Sequence, residues 1–113
     1  MTSGNFVSCF NKCTKLVTIN TITGTIKGAK STNKNYNHLD LSPCTLLNKT
    51  TITQLMQALD NTELATNYTT KKITFSPTAI NKAFETAEGA NDGLTSTEWL
   101  GLVAAKPTWT VIT

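Results

Sequence analysis

The feature that most constrains this chain is a switch of hydrophobic period between His38 and Asn61. Leu39 and Leu41 alternate with the polar Asp40 and Ser42, the period-2 pattern of a half-buried strand. After a turn through Pro43 and Cys44, Ile52, Leu55, Met56 and Leu59 fall at i, i+3, i+4 and i+7, the apolar stripe of a surface helix. Thr51 followed by Gln54 fits a capping box, in which two side chains satisfy amides left unpaired at a helix start. A strand, a turn and a returning helix therefore form one unit, and the rest of the chain repeats it.

Upstream, Phe6, Cys9, Phe10, Cys13, Leu16 and Ile19 recur every three or four residues, so a helical turn leading into an extended segment at 16–19 places them on one side. Residues 22–34 carry two Gly and several turn formers, and read as a loop or short edge strand. Residues 62–71 are a polar connection. Lys72 to Ser76 repeats the strand, with Ile73 and Phe75 inward and Pro77 ending it. Ile80, Ala83, Phe84 and Ala87 have helical spacing, but Pro77 and Gly89 confine any helix to about three turns. Asn91, Asp92 and Gly93 form a turn. Thr95 as N-cap with Glu98 makes a second capping box, and Leu94 with Trp99 a hydrophobic staple. Leu100 and Val103 continue the buried face, Pro107 ends the helix, and Trp109 and Val111 alternate with threonines in a last strand. Strand centres near 17, 40, 74 and 110, each followed by a return, imply parallel neighbours. Such a drifting repeat marks a solenoid.

The 113 residues form a single domain, 1–113: an N-terminal repeat and loop (6–37), a strand–helix repeat (38–71) and a strand–helix–strand cap (72–113). Net charge is +3, and all ten basic residues are Lys. Bidentate recognition of phosphate or guanine leans on Arg, so this charge argues against a nucleic-acid partner. No run approaches the roughly 18 apolar residues of a membrane helix, so no membrane insertion is expected. The N-terminus lacks the basic patch and apolar run of a signal peptide. The chain is thus expected to stay inside its host, to travel as part of a particle, or to be cut from a longer precursor.

The segment from Ser8 to Ile19 (Ser-Cys-Phe-Asn-Lys-Cys-Thr-Lys-Leu-Val-Thr-Ile) resembles the bacterial BspA-like leucine-rich repeat, in which Phe, Cys, Leu and Ile recur in that order. Leu39 to Cys44 with the helix at 50–59 is similar to a penultimate unit of such arrays. Thr95 to Leu100 with Trp109 to Ile112 is similar to their C-terminal cap. The resemblance implies an α/β fold: a short leucine-rich-repeat-like solenoid, with a small parallel sheet on one face and helices and loops on the other. It further implies a non-catalytic structural or binding module of a phage tail or fibre, or of a bacterial surface protein such as an adhesin. Localisation would be the virion or the cell surface, within an assembly. Only one good BspA-like unit precedes the cap, and the connection at 77–94 is longer than the repeat requires.

Cys9, Cys13, His38 and Cys44 could be assembled into a Cys3His zinc site, a real ligand set, but they come from different repeats. Buried packing of the cysteines accounts for them as well, with Cys13 and Cys44 at analogous positions of successive repeats, stacked and unbonded. A hydrolase would need His38 beside one of these thiols and a third orienting group, and no nucleophile elbow surrounds any of them. The carboxylates Asp40, Asp60, Glu63, Glu85, Glu88, Asp92 and Glu98 are scattered, and no metal or other cofactor is expected. Asn48 and Asn67 match the glycosylation pattern, as chance allows in an Asn/Thr-rich chain. What remains is a surface for binding or assembly: Asp40, Thr74, Thr108 and Thr110 on the strand side, and Phe6, Val7 and Phe10 at the first repeat. An uncovered solenoid end exposes apolar side chains and strand edge. The N-terminal repeat edge is therefore expected to dock on a protein partner or a second copy.

Overall fold

Leu39–Leu41 forms β1, with both leucines buried and Asp40 half-buried on the opposite face, as the alternation requires. The structure is a computed structural model and describes residues 10, 12–21, 26, 39–61 and 71–113. Helix α1 spans Lys49–Ala58, β2 Lys72–Phe75 and α2 Pro77–Ala83. A single 3-10 turn at Gly93–Thr95 leads to α3, Thr97–Ala104, and to β3, Thr110–Ile112. The strands make a parallel sheet in the order β1-β2-β3. Its register aligns Leu39 with Ile73, Leu41 with Phe75, and Ile73 with Val111. Parallel neighbours in sequence order follow from the intervening helices, each of which returns the chain to its starting edge.

The core lies between the inner sheet face and the helices. Leu39, Leu41, Ile73 and Phe75 meet Ile52, Leu55 and Met56 of α1, Ala79 and Ile80 of α2, and Trp99 of α3. All four residues of the α1 stripe are buried, Leu59 included. Trp99 stands edge-on to Phe75, with centroids 5.6 Å apart, and tilts against Phe84 at 5.5 Å.

Both helix starts differ from the sequence expectation. Asn48, not Thr51, caps α1 by accepting the Thr51 amide at 2.9 Å. Thr51 lies inside the helix, fully buried, and its hydroxyl accepts the Ile19 amide at 3.2 Å. Ser96, not Thr95, caps α3, accepting the Trp99 amide at 3.1 Å. That shift of one residue puts Trp99 itself at the third helical position, so the expected staple between Leu94 and Trp99 is out of register. Glu98 pairs instead with Lys49, Nζ to carboxylate 2.6 Å. Lys49 opens α1, where the helix dipole disfavours a cation, and Glu98 offsets that cost from the first turn of α3, where an anion is favoured. The α3 face shifts with its cap. Leu100 is half exposed, while Leu102 and Val103 pack against the core. Likewise α2 ends at Ala83 and Ala87 is exposed.

A strand centred on residue 17 is not found. Residues 16–20 are irregular, because their backbone groups serve the start of α1 instead of a sheet. The Val17 carbonyl accepts the Asn48 amide at 3.0 Å, and the Ile19 amide goes to Thr51. Of residues 22–34 only Ile26 is described; it is buried and forms a parallel bridge with Leu59. The fold is mixed helix and strand around one small parallel sheet.

Candidate functional site

Three elements place side chains on the outer sheet face. Alternation puts Asp40 on β1, Lys72 and Thr74 on β2, and Thr110 and Ile112 on β3 there, opposite the buried set. Register brings Asp40, Thr74 and Ile112 into one row and Lys72 and Thr110 into the next. Thr110 and Ile112 are exposed; the other three are half-buried. Asp40 Oδ1 accepts the Ser42 amide at 2.9 Å, which orients the carboxylate at the strand end. Such a row offers hydrogen-bond donors and acceptors of both charges beside one apolar side chain. That is contact chemistry.

The remaining surface candidates separate from this row. Thr108 precedes β3 and is tied down: its hydroxyl lies 3.2 Å from Lys71 Nζ and 3.0 Å from Asn61 Oδ1. Phe10 is half-buried and packs against the core. Phe6 and Val7 lie outside the described residues, as do Cys9 and His38, two members of the zinc and Cys–His arrangements. Among the described residues, no group of three His, Cys, Asp or Glu side chains is placed to hold a metal ion. Cys44 is fully buried, and that burial raises its pKa, helped by Cys13 and then Asp40 nearby. Asn48 is committed as a helix cap, with its Nδ2 directed at Thr18 Oγ1, 3.4 Å away. A glycan there would be carried on Nδ2 and would crowd the Thr18 contact, leaving the capping Oδ1 in place.

One cluster escaped the sequence reading. Lys71, taken as the end of a polar connection, is only 5% exposed. Its Nζ donates to the Asp60 carbonyl at 2.5 Å and sits 5.4 Å from the Trp109 ring centroid. Trp109 Nε1 donates to the same carbonyl at 2.8 Å, and Lys106 Nζ to the Leu59 carbonyl at 2.6 Å. Desolvation lowers the Lys71 pKa, with Asp60 acting in the other direction. The cluster supplies donors to the two carbonyls that immediately follow the end of α1. It joins α1, β2 and β3 and is a structural tie. The period of two that buries Ile73 and Phe75 also points Lys71 inward, and that signal was present in the sequence.

Between α1 and α3 a shallow depression of about 230 Å³ is lined by Met56, Gln57, Leu102, Ala105 and Lys106. No helix among the described residues is long and apolar enough to cross a membrane. Comparison with protein-family models, with curated proteins and with solved structures found no match.

Proposed function

We propose that this chain is a non-catalytic structural or binding module, built as the last turns of a short leucine-rich-repeat-like solenoid, which acts through protein contacts in a phage particle or at a bacterial surface. The observation that carries the reading is a nearly constant spacing between residues that touch. Ile19 and Thr51 are 32 residues apart. The separation stays close to that value from the Val17–Asn48 hydrogen bond through the Ile26–Leu59 bridge to the Leu41–Phe75 pair, and widens only between β2 and β3. Contacts that advance with the chain at fixed separation are what stacked coils produce, and solenoids use the face so formed for recognition. The contact surface on this reading is the row Asp40, Thr74, Ile112 with Thr110, and the partner docks along that face.

The test compares two variants of the whole chain. One carries Asp40→Lys, Thr74→Lys and Thr110→Lys on the outer sheet face; the other carries Thr50→Lys and Leu100→Lys on exposed helix positions. Both are checked for unchanged melting, then for co-sedimentation with envelopes or virus particles from the source culture. The sheet-face variant is expected to lose co-sedimentation tenfold or more while the helix variant keeps it. Equal retention by both would overturn the proposal.

A further inference from the structure

Two thiols occupy equivalent places in successive coils. The Cys13 amide donates to the Phe10 carbonyl at 3.0 Å, and the Cys44 amide to the Leu41 carbonyl at 2.9 Å, so each cysteine closes the same four-residue turn. Three residues further on, Leu16 packs against the core and Leu47 is buried in it. One residue beyond that, the coils join directly, Asn48 amide to Val17 carbonyl at 3.0 Å. Two segments with one turn and one direct backbone bond at matching positions run side by side. That bond lies four residues beyond the cysteines, and Cys13 is near enough to Cys44 to act on its thiol electrostatically; a disulfide asks for Cα atoms roughly 4.4–6.8 Å apart. Both cysteines are free thiols here, Cys44 buried and Cys13 half-buried.

We propose that Cys13 and Cys44 form a modification site, a thiol pair that closes into a coil-to-coil disulfide when the chain meets a disulfide oxidant, either a low-molecular-weight disulfide or an oxidoreductase. Cys13, the more accessible, attacks first: its thiolate forms a bond to one oxidant sulfur, and the other leaves as a thiol. Cys44 then loses its proton and attacks Cys13 Sγ, forming the Cys13–Cys44 bond and releasing the second oxidant thiol. Two electrons and two protons leave the chain, and the oxidant is reduced from a disulfide to two thiols. The bond would link segments that are otherwise held by few backbone contacts. Burial of Cys44, with Cys13 and Asp40 beside it, raises its pKa and makes the second step the slower one. The inference rests on the local stacking of these two segments and not on the binding role proposed above.

Trypsin separates the three cysteines cleanly, because Lys12, Lys15, Lys34 and Lys49 leave Cys9, Cys13 and Cys44 on fragments 1–12, 13–15 and 35–49. The purified full-length chain is reduced, exposed to oxidised glutathione, alkylated under denaturing conditions and digested. The expected product is fragment 13–15 linked to 35–49 with Cys9 alkylated, and a melting temperature raised by on the order of ten degrees that reductant reverses. Cys9→Ser should keep both the linked fragment and the rise, and Cys13→Ala should lose both. Alkylation of Cys13 and Cys44 after oxidation, or a linkage through fragment 1–12, would overturn the proposal.

Discussion

Replacing Trp99 with Ala tests whether α3 is held to the sheet by packing. The indole is 3% exposed and meets Phe75 edge-on at 5.6 Å, with Phe84 at 5.5 Å on its other side. Truncating a buried Phe or Trp to Ala costs about 3–5 kcal/mol, through lost transfer energy and the cavity left behind. Two aromatic neighbours add roughly 0.5–1.5 kcal/mol apiece beyond buried area, which places the loss toward the upper end. Set against the roughly 5–15 kcal/mol that holds an ordinary domain folded, this is a large fraction. In urea, with a slope of about 1–3 kcal/mol per molar, the unfolding midpoint should fall by more than 1 M. Far-UV circular dichroism gives the backbone signal, and the remaining Trp109 serves as an independent fluorescent reporter. Trp99→Phe, which keeps a ring between Phe75 and Phe84, should lose less than half as much. A loss below about 0.5 kcal/mol for Trp99→Ala, the range of surface substitutions, would refute the packing described.

The cap register is separable by two substitutions: Ser96→Ala should cost about 1 kcal/mol and Thr95→Ala clearly less, with thermal melts deciding. Gly93→Ala should cost about 1–3 kcal/mol or more, because the new Cβ would lie 2.1 Å from the Ile80 carbonyl oxygen and 2.7 Å from that of Asn81; wild-type stability for this variant would show that the turn does not press on α2. Hydrogen bonds from the Thr86 side chain, then from its amide, hold the Asp92 carboxyl below the usual carboxylate range. Its contribution is therefore present above the unfolded pKa and lost as pH falls through the lower folded value, so urea midpoints of wild type and Asp92→Asn should converge in acid and separate above about pH 4. Midpoints that stay parallel across that range would contradict it.

Hydrophobic period was enough to locate β1, α1, β2, the last helix and β3, since a strand or helix with one buried face must carry its apolar residues at that spacing. Leu39, Ile52, Ile73 and Trp109 are all where their periods put them. Cap positions were harder to read. Several Thr, Ser and Asn residues crowd each helix start, and the backbone picks one by where the preceding turn delivers it, so Asn48 and Ser96 won over Thr51 and Thr95. The segment at 16–19 misled because Leu16 and Ile19 do face the core while its hydrogen bonds serve the start of α1. Of the surface candidates, Asp40, Thr74 and Thr110 share the outer face as their alternation implies, whereas Thr108 is drawn inward by Lys71 and Asn61, partners that no local pattern announces.

The end of α1 carries a consequence for the order in which the chain assembles. The carbonyls just past it, at Leu59 and Asp60, take donors from Lys106 and Trp109, 47 and 49 residues later in the chain, with Lys71 sharing the Asp60 carbonyl. Until those residues arrive, the two carbonyls lack these donors, and closing so long a loop is entropically unfavourable before any contact repays it. Helix α1 and the segment leading into β3 should therefore become protected together, as one late cooperative step, despite lying in different halves of the sequence. Pulse-labelling hydrogen exchange during refolding reads this directly. Amides of Leu55–Leu59 that gain full protection well before those of Lys106 and Trp109 would show that the helix end settles without its distant donors.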